Sequence, residues 1–532
     1  MRSYIDLLRQ PDSVLFQYAD SCVRWEEPDS REEQTARLDY TVRDGAAVIT
    51  LYPSERPYLR VKLRFNGDLS GAAVVMGDSF ERISELVPYD AKWTGLVPER
   101  TLPWYFHLFD GEALHSFGVK VGPAVFCSFN CDEGGITLWL DVRCGSAAAR
   151  LTEPLVACEV VCREGKPGEH PFFAAQAFCR MMCEQPNLPK EPIFGVNNWY
   201  WAYGNITNDI VRQETAYLRE MTADAVCRPH MIIDDGWQIN HRAGYNGGPW
   251  DKTNAGFPAL SEVAAEIREN GARPGIWFRP LLEPDGPAEA KSPAASHPDG
   301  FQLDPSHPYT LEKVATDVAR LRDAGFELIK YDFTIIDTVK RGTGAGMGFA
   351  PFYDNTKPTC YIIRNLYRTI EAASGSANIL GCNIYNHLAA GLHAANRAGD
   401  DTSGRNFEQT RLCGIGSFTR LAQNGTFFAF DPDCAAFTDR VGHGVNLDFL
   451  EAAAITGSVT LASVTPGCLT KDEMARIRSI YKIASQGGLG AYPRRYVYDN
   501  APAHFITPDG QSFDYDWYMY YGGRREGWTW RS

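Results

Sequence analysis

In the first third of the chain, apolar and polar residues alternate at every second position. Segments 47–52, 58–65, 72–76, 124–130 and 135–142 carry this pattern in β-branched and aromatic residues, with turns such as Asn66-Gly67-Asp68 and Asp132-Glu133-Gly134 between them. A period of two buries one face of each segment, so the pattern predicts a β-sandwich-like domain over residues 1–170. Residues 172–184 read as a linking helix, and Gln185-Pro186-Asn187-Leu188-Pro189 reads as a boundary. Together they set a linker over 171–192.

Beyond residue 192 the period changes. Short continuous apolar runs, the mark of strands buried on both faces, fall at 195–201, 230–234, 275–279, 328–332, 378–384, 395–399, 425–430 and 458–464. Helical stretches separate them at 209–221, 259–270, 311–324, 361–373, 447–455 and 471–485, some closed by a glycine such as Gly271 or Gly325. Alternation of this kind predicts an α/β chain with a (β/α)8 TIM barrel over 193–488. The remaining stretch, 489–532, is a short aromatic extension with Tyr515, Trp517, Tyr518, Tyr520, Tyr521, Trp528 and Trp530. It reads as a small β element packed on the barrel or as a surface that docks another subunit, which leaves a homo-oligomer open.

Length agrees with this division, since 532 residues hold a barrel of about 250 residues and a further module. A net charge of −14 argues against nucleic acid and against anionic membranes as partners. No apolar run reaches the ~18 residues of a membrane span. The first residues lack the apolar core of a signal peptide, so the expected location is cytoplasmic. Fourteen cysteines are scattered without a CxxC pair. They read as reduced thiols, and no metal or other cofactor is expected.

Acids gather at the carboxyl ends of the barrel runs. Asp332 follows Lys330 and Tyr331, Asp234 and Asp235 precede Gly236-Trp237, Asp400 and Asp401 follow Arg397, and Asp431 and Asp433 flank Pro432. Active sites of such barrels lie at that face. Cleaving a glycosidic bond needs one carboxylate to attack or activate water and one carboxyl group to protonate the leaving oxygen. Asp332 is the candidate nucleophile. Lys330, two residues earlier, shares its side of the strand, and a close lysine favours the ionised form. Asp401 is the candidate acid/base, with Asp400 as the fallback. Asp234 and Asp235 suit adjacent sugar hydroxyls, and Trp237 suits the apolar sugar face. Trp199, Trp201 and Tyr203 offer one wall. Trp277 and Arg279 end the third strand, and Asn383 and Tyr385 lie near the end of the fifth. The Pro- and Gly-rich stretch 281–308 reads as an ordered loop over the site. His387 and His393 have no serine or cysteine nucleophile motif beside them and read as surface or supporting residues.

The motifs Ile233-Asp234-Asp235-Gly236-Trp237, Gly275-Ile276-Trp277-Phe278, Gln302-Leu303-Asp304, Lys330-Tyr331-Asp332, Arg397 to Asp401 and Asp431-Pro432-Asp433 occur in that order. In this order the chain resembles the melibiase-type α-galactosidases. These belong to glycoside hydrolase clan D, which also holds α-N-acetylgalactosaminidases. The likeness spans about residues 194–464. It implies a retaining, metal-independent exo-glycosidase that removes terminal α-galactosides through a covalent glycosyl-aspartate. Under it Asp332 falls on the nucleophile and Asp401 on the acid/base, four residues after the sugar-binding Arg397. Asp234 and Asp235 fall on the acids that hold the 4- and 6-hydroxyls, Lys330 on a ring-hydroxyl contact, and Trp199 on an aromatic wall. The chain departs from the pattern at Phe333, at Arg279, at the reduced Gly381-Cys382-Asn383 motif and in its short C-terminal part. A 2-acetamido sugar, raffinose-type galactosyl transfer and an inactive galactose-binding barrel therefore stand as alternatives.

Overall fold

A computed structural model describes residues 4–21, 24–80, 92–295, 297–339 and 350–517. Two antiparallel sheets occupy the N-terminal part. One runs in the order Ser13–Tyr18, Tyr58–Asn66, Gly135–Asp141, Phe126–Asp132, Leu102–Pro103. The other has seven strands, with Leu155–Arg163 between Ala46–Leu51 and Leu114–Val119. Alternate residues of these strands point inward, and the sheets meet through Phe106 on Phe129 at 5.4 Å and Tyr40 on Phe65 at 6.0 Å. The connecting helix is Pro171–Met182.

The second half is built on a parallel sheet. Its strands are β1 (Phe194–Asn197), β2 (His230–Ile233), β3 (Arg273–Phe278), β4 (Leu328–Tyr331), β5 (Asn378–Gly381), β6 (Ala395–Arg397), β7 (Ala429–Asp431), β8 (Cys434–Phe437) and β9 (Thr460–Val464). The order is β7-β6-β5-β4-β3-β2-β1-β9-β8. The two end strands, β7 and β8, are halves of one segment parted by Pro432 and Asp433, where proline cannot donate to a ladder and Asp433 takes a φ of 75°. Both edges of the sheet thus belong to one interrupted run, and the fold is barrel-like. The strands are almost wholly buried on both faces, as parallel strands covered by helices are.

Several expected bounds move. The first strand stops at Asn197, and Trp199–Ala202 form a helical turn, so Trp199 and Trp201 leave the strand. The run expected at 425–430 begins at Ala429 and continues as β8 beyond the proline. The helix expected at 447–455 starts at His443. The sequence hides the helical path through Phe407–Gln423, because Gly414 and Gly416 interrupt its period and the backbone answers with π and 3-10 turns.

Aromatic contacts join the N-terminal sheets to the barrel. Trp104 stacks on His387 at 5.2 Å and Phe126 packs on Tyr385 at 5.0 Å. Past the barrel, Tyr492–Pro493, His504–Ile506 and Ser512–Asp514 make a small antiparallel sheet, with Phe505 against Phe418. The extension therefore packs on the barrel. Tyr515 and Trp517 are buried there, whereas Tyr518, Tyr520, Tyr521, Trp528 and Trp530 lie outside the described residues.

Candidate active site

Asp332 follows the last residue of β4, and the neighbouring strands orient it from both sides. Trp277, paired in register with Lys330 on β3, donates its Nε1 to Oδ2 at 3.0 Å. Asn383, just past β5, donates its Nδ2 to Oδ1, and the Phe333 amide donates to the same oxygen at 2.7 Å. Three donors on one buried carboxylate fix its rotamer and leave little freedom to swing. The geometry requires backbone strain, since Phe333 at φ 67° and Asn383 at φ 51° both lie in the left-handed region. Such conformers cost of the order of 1–3 kcal/mol each and collect at functional sites.

Lys330 points into the same mouth, but its ion pair is not with Asp332. Its Nζ lies 2.7 Å from Asp234 Oδ2, and the Asp332 charge adds a smaller attraction. Burial opposes its charge, yet the attraction of Asp234 outweighs this, and the ammonium pKa is raised well above its ordinary value. Asp234 also accepts from Asn197 Nδ2 of β1 at 2.7 Å, while its own amide donates to Asn198 Oδ1 at 2.9 Å. Asp235 accepts from Gln238 Nε2 at 2.7 Å and meets His241 Nδ1 at 3.1 Å. Burial raises its pKa despite these two partners. Gly236, next in line, passes so close to Gly204 that a Cβ would sit 2.4 Å from that carbonyl oxygen.

The adjacent acids after β6 divide between two environments. Asp400 is 1% exposed and its Oδ1 accepts from the Asp401 amide at 2.8 Å. The Asp401 side chain stays 41% exposed, tethered by Arg397 Nη2 at 3.1 Å. Buried Arg397 also binds Asp433 Oδ2 at 3.0 Å and reaches Cys382 Sγ at 3.5 Å through Nη1. Cys382 is the common neighbour of the cluster. Burial first, then Asp332 and Asp401, push its thiol pKa well above the usual value, against Arg397 and Lys330.

The sequence named Asp431-Pro432-Asp433 as a motif without giving it a role. Asp433 holds Arg397, accepts from the Thr402 amide at 2.8 Å and takes the Tyr200 hydroxyl. Burial pushes Asp431 up to about 6, with Arg397 opposing. Glu214 was also missed, because on a helix it reads as an ordinary polar position. It is buried behind β1, where it accepts from Trp201 Nε1 at 2.7 Å and from Asn198 Nδ2 at 3.1 Å. Burial pushes it up to about 8.

Two expected sugar contacts need correction. Trp237 is 0% exposed, packs on Trp250 and donates its Nε1 to the Trp277 carbonyl, so its ring has no free face. The Arg279 guanidinium is taken up by Asp337 and by Asn246 Oδ1 at 2.6 Å, and it lies 4.4 Å over the Phe333 ring, supporting that strained residue. Trp199 is only partly buried and meets Tyr203 edge-on at 5.6 Å, with Arg405 3.9 Å from the Tyr203 ring. The surface reading of the two histidines fails. His387 bonds the Val119 carbonyl, and His393 bridges Tyr331 and Glu371, both buried. Among the described residues no group of three or more His, Cys, Asp or Glu could hold a metal, and no helix is long and apolar enough to cross a membrane.

No protein-family model matches the chain. A probable α-galactosidase A of Aspergillus clavatus is 30% identical over 93 residues, an alignment that spans only 17% of each protein. Among solved structures, an α-galactosidase of Thermus thermophilus in complex with stachyose matches 83% of this chain and 99% of its own at a TM-score of 0.56 and 18% identity. An α-galactosidase of Lactobacillus brevis matches 89% of this chain and 69% of its own at a TM-score of 0.59 and 12% identity. One from Geobacillus stearothermophilus gives a TM-score of 0.57 at 14% identity, over 84% of this chain and 67% of its own. An N-terminal β part followed by a barrel-like parallel sheet is thus a fold this chain shares with the α-galactosidases.

Proposed function

We propose that this chain is a retaining exo-glycosidase that hydrolyses terminal α-galactosides on a closed (β/α)8 barrel. The observation that carries the reading is the contrast between two carboxyl groups at the same strand ends. Asp332 is buried and clamped by Trp277, Asn383 and the Phe333 amide, while Asp401 is tethered by Arg397 yet open to solvent. A nucleophile needs a fixed trajectory, and an acid/base needs access to the leaving group and to water. The structural relatives solved with stachyose and with p-nitrophenyl α-galactoside support this substrate class.

In the first step an Asp332 oxygen attacks the anomeric carbon as the glycosidic C–O bond breaks. The Asp401 carboxyl group gives its proton to the departing oxygen. In the second step Asp401 takes a proton from water, the hydroxide displaces Asp332, and galactose leaves. Asp234 accepts from sugar hydroxyls and Lys330 donates to them, their mutual ion pair holding both in place. Trp199 and Tyr203 give the apolar ring face a wall.

Asp332→Asn and Asp401→Asn should each abolish hydrolysis of an aryl α-galactoside. A 2-deoxy-2-fluoro galactosyl probe should label the peptide that holds Asp332, read by mass spectrometry. No turnover of any α-galactoside, α-N-acetylgalactosaminide or raffinose-type sugar by the unmodified protein would overturn the reading.

A further inference from the structure

Away from the strand ends, a cavity of about 490 Å3 opens between the N-terminal sheet and the barrel helix Thr359–Ser374. Lys120, Lys357, Arg364 and Arg368 line it with only Glu153 and Glu159 against them, a surplus of positive charge in a chain whose net charge is −14. The lysines are already paired, Lys120 with Glu159 and Glu184 and Lys357 with Glu153. The arginines are not. Among the described residues neither Arg364 nor Arg368 has a carboxylate partner.

Arg364 is the informative one. It is largely sunk, yet among the described residues its only hydrogen bond is from Nη1 to the Leu388 carbonyl at 3.1 Å, and its Nε finds no partner there. Gly122 is what lets it lie there, since a Cβ on that residue would fall 1.7 Å from Nη1. Burial lowers its pKa to about 10, and Arg368, one helical turn on, adds repulsion. A buried guanidinium without a counter-charge is costly, and a second cation at i+4 adds to the cost.

We propose that this cavity is a binding site for a phosphate group, carried by a small organic phosphate or present as the free ion, with Arg364 and Arg368 as its ligands. The guanidinium fork matches phosphate oxygens, and the volume lies in the range of small-molecule sites. The site is independent of the proposed hydrolysis and is tested by binding alone.

Isothermal titration of the whole protein with inorganic phosphate and with a hexose phosphate at constant ionic strength decides it. Saturable binding of one equivalent per chain is expected, weakened about tenfold or more in Arg364→Gln and in Arg368→Gln, the loss of a charge-assisted contact. A tighter hexose phosphate identifies an organic ligand, and equal affinities identify the free ion. Arg368 is exposed, so Arg368→Gln keeps the test open should Arg364→Gln fail to fold. No saturable binding, binding unchanged in Arg368→Gln, or equal competition by chloride would overturn the proposal.

Discussion

Single donors decide how Asp332 is held, and each can be removed. Trp277→Phe keeps a smaller buried aromatic ring but deletes the Nε1 donor to Oδ2. Losing one hydrogen bond to a charged group costs about 1.5–3 kcal/mol, so kcat/KM on an aryl α-galactoside should fall roughly 10- to 100-fold with the fold intact by circular dichroism. Glu214 makes a different prediction. Burial pushes its pKa up from 4.5 to about 8, so between those values the folded chain holds a proton that the unfolded chain has released. Stability should therefore fall as pH rises across that window, and Glu214→Gln should flatten this part of the melting-temperature profile. An unchanged slope in the variant would mean that Glu214 is ionised in the fold. The places of Asp332, Asp401 and Lys330 at or just past the ends of β4 and β6 could be read from the sequence alone. Trp237 and Arg279 could not be assigned that way, because an aromatic or an arginine in a strand-end motif gives no sign of whether its polar end faces a sugar or a neighbour.

At the scale of elements, the short helix Thr334–Val339 carries the strained turn that follows β4. It is pinned by Asp337, which accepts from Arg279 Nε and Nη2 and from Gln302 Nε2. One carboxylate thereby ties the turn after Asp332, the end of β3 and the loop 281–308 together. Asp337→Ala leaves the Arg279 charge buried and unpaired, a change that costs about 3–5 kcal/mol. Urea unfolding should show that loss, and activity should drop further than Trp277→Phe because Phe333 loses its support. The sequence predicted strands and helices here by their periods. It missed the split of β7 from β8 and the π and 3-10 path through Arg411–Gln423, since proline and glycine erase a period without saying what the backbone does instead.

At the scale of the molecule, the N-terminal sheets are wired into the barrel. Buried Asp78 pairs with Arg420, and Arg420 Nη1 donates to the Ala398 carbonyl at 2.7 Å, three residues before Asp401. Trp104, Tyr105 and Phe126 cover His387, Phe427 and Tyr385. The barrel expressed without the N-terminal part should therefore be insoluble or lack a cooperative melt, since Arg420 would lose its counter-charge and an aromatic face would be bared. The full chain should unfold in one transition by calorimetry, and two well-separated transitions would contradict the coupling. By itself the sequence determined the change of period near residue 192 and the acids at the strand ends, because side-chain period and strand-end position are local properties. The tertiary structure decided which acid each cation serves. Lys330 went to Asp234, and Arg397, besides Asp401 four residues on, took Asp433; these longer-range pairs depend on how distant strands converge, and no local spacing records that convergence.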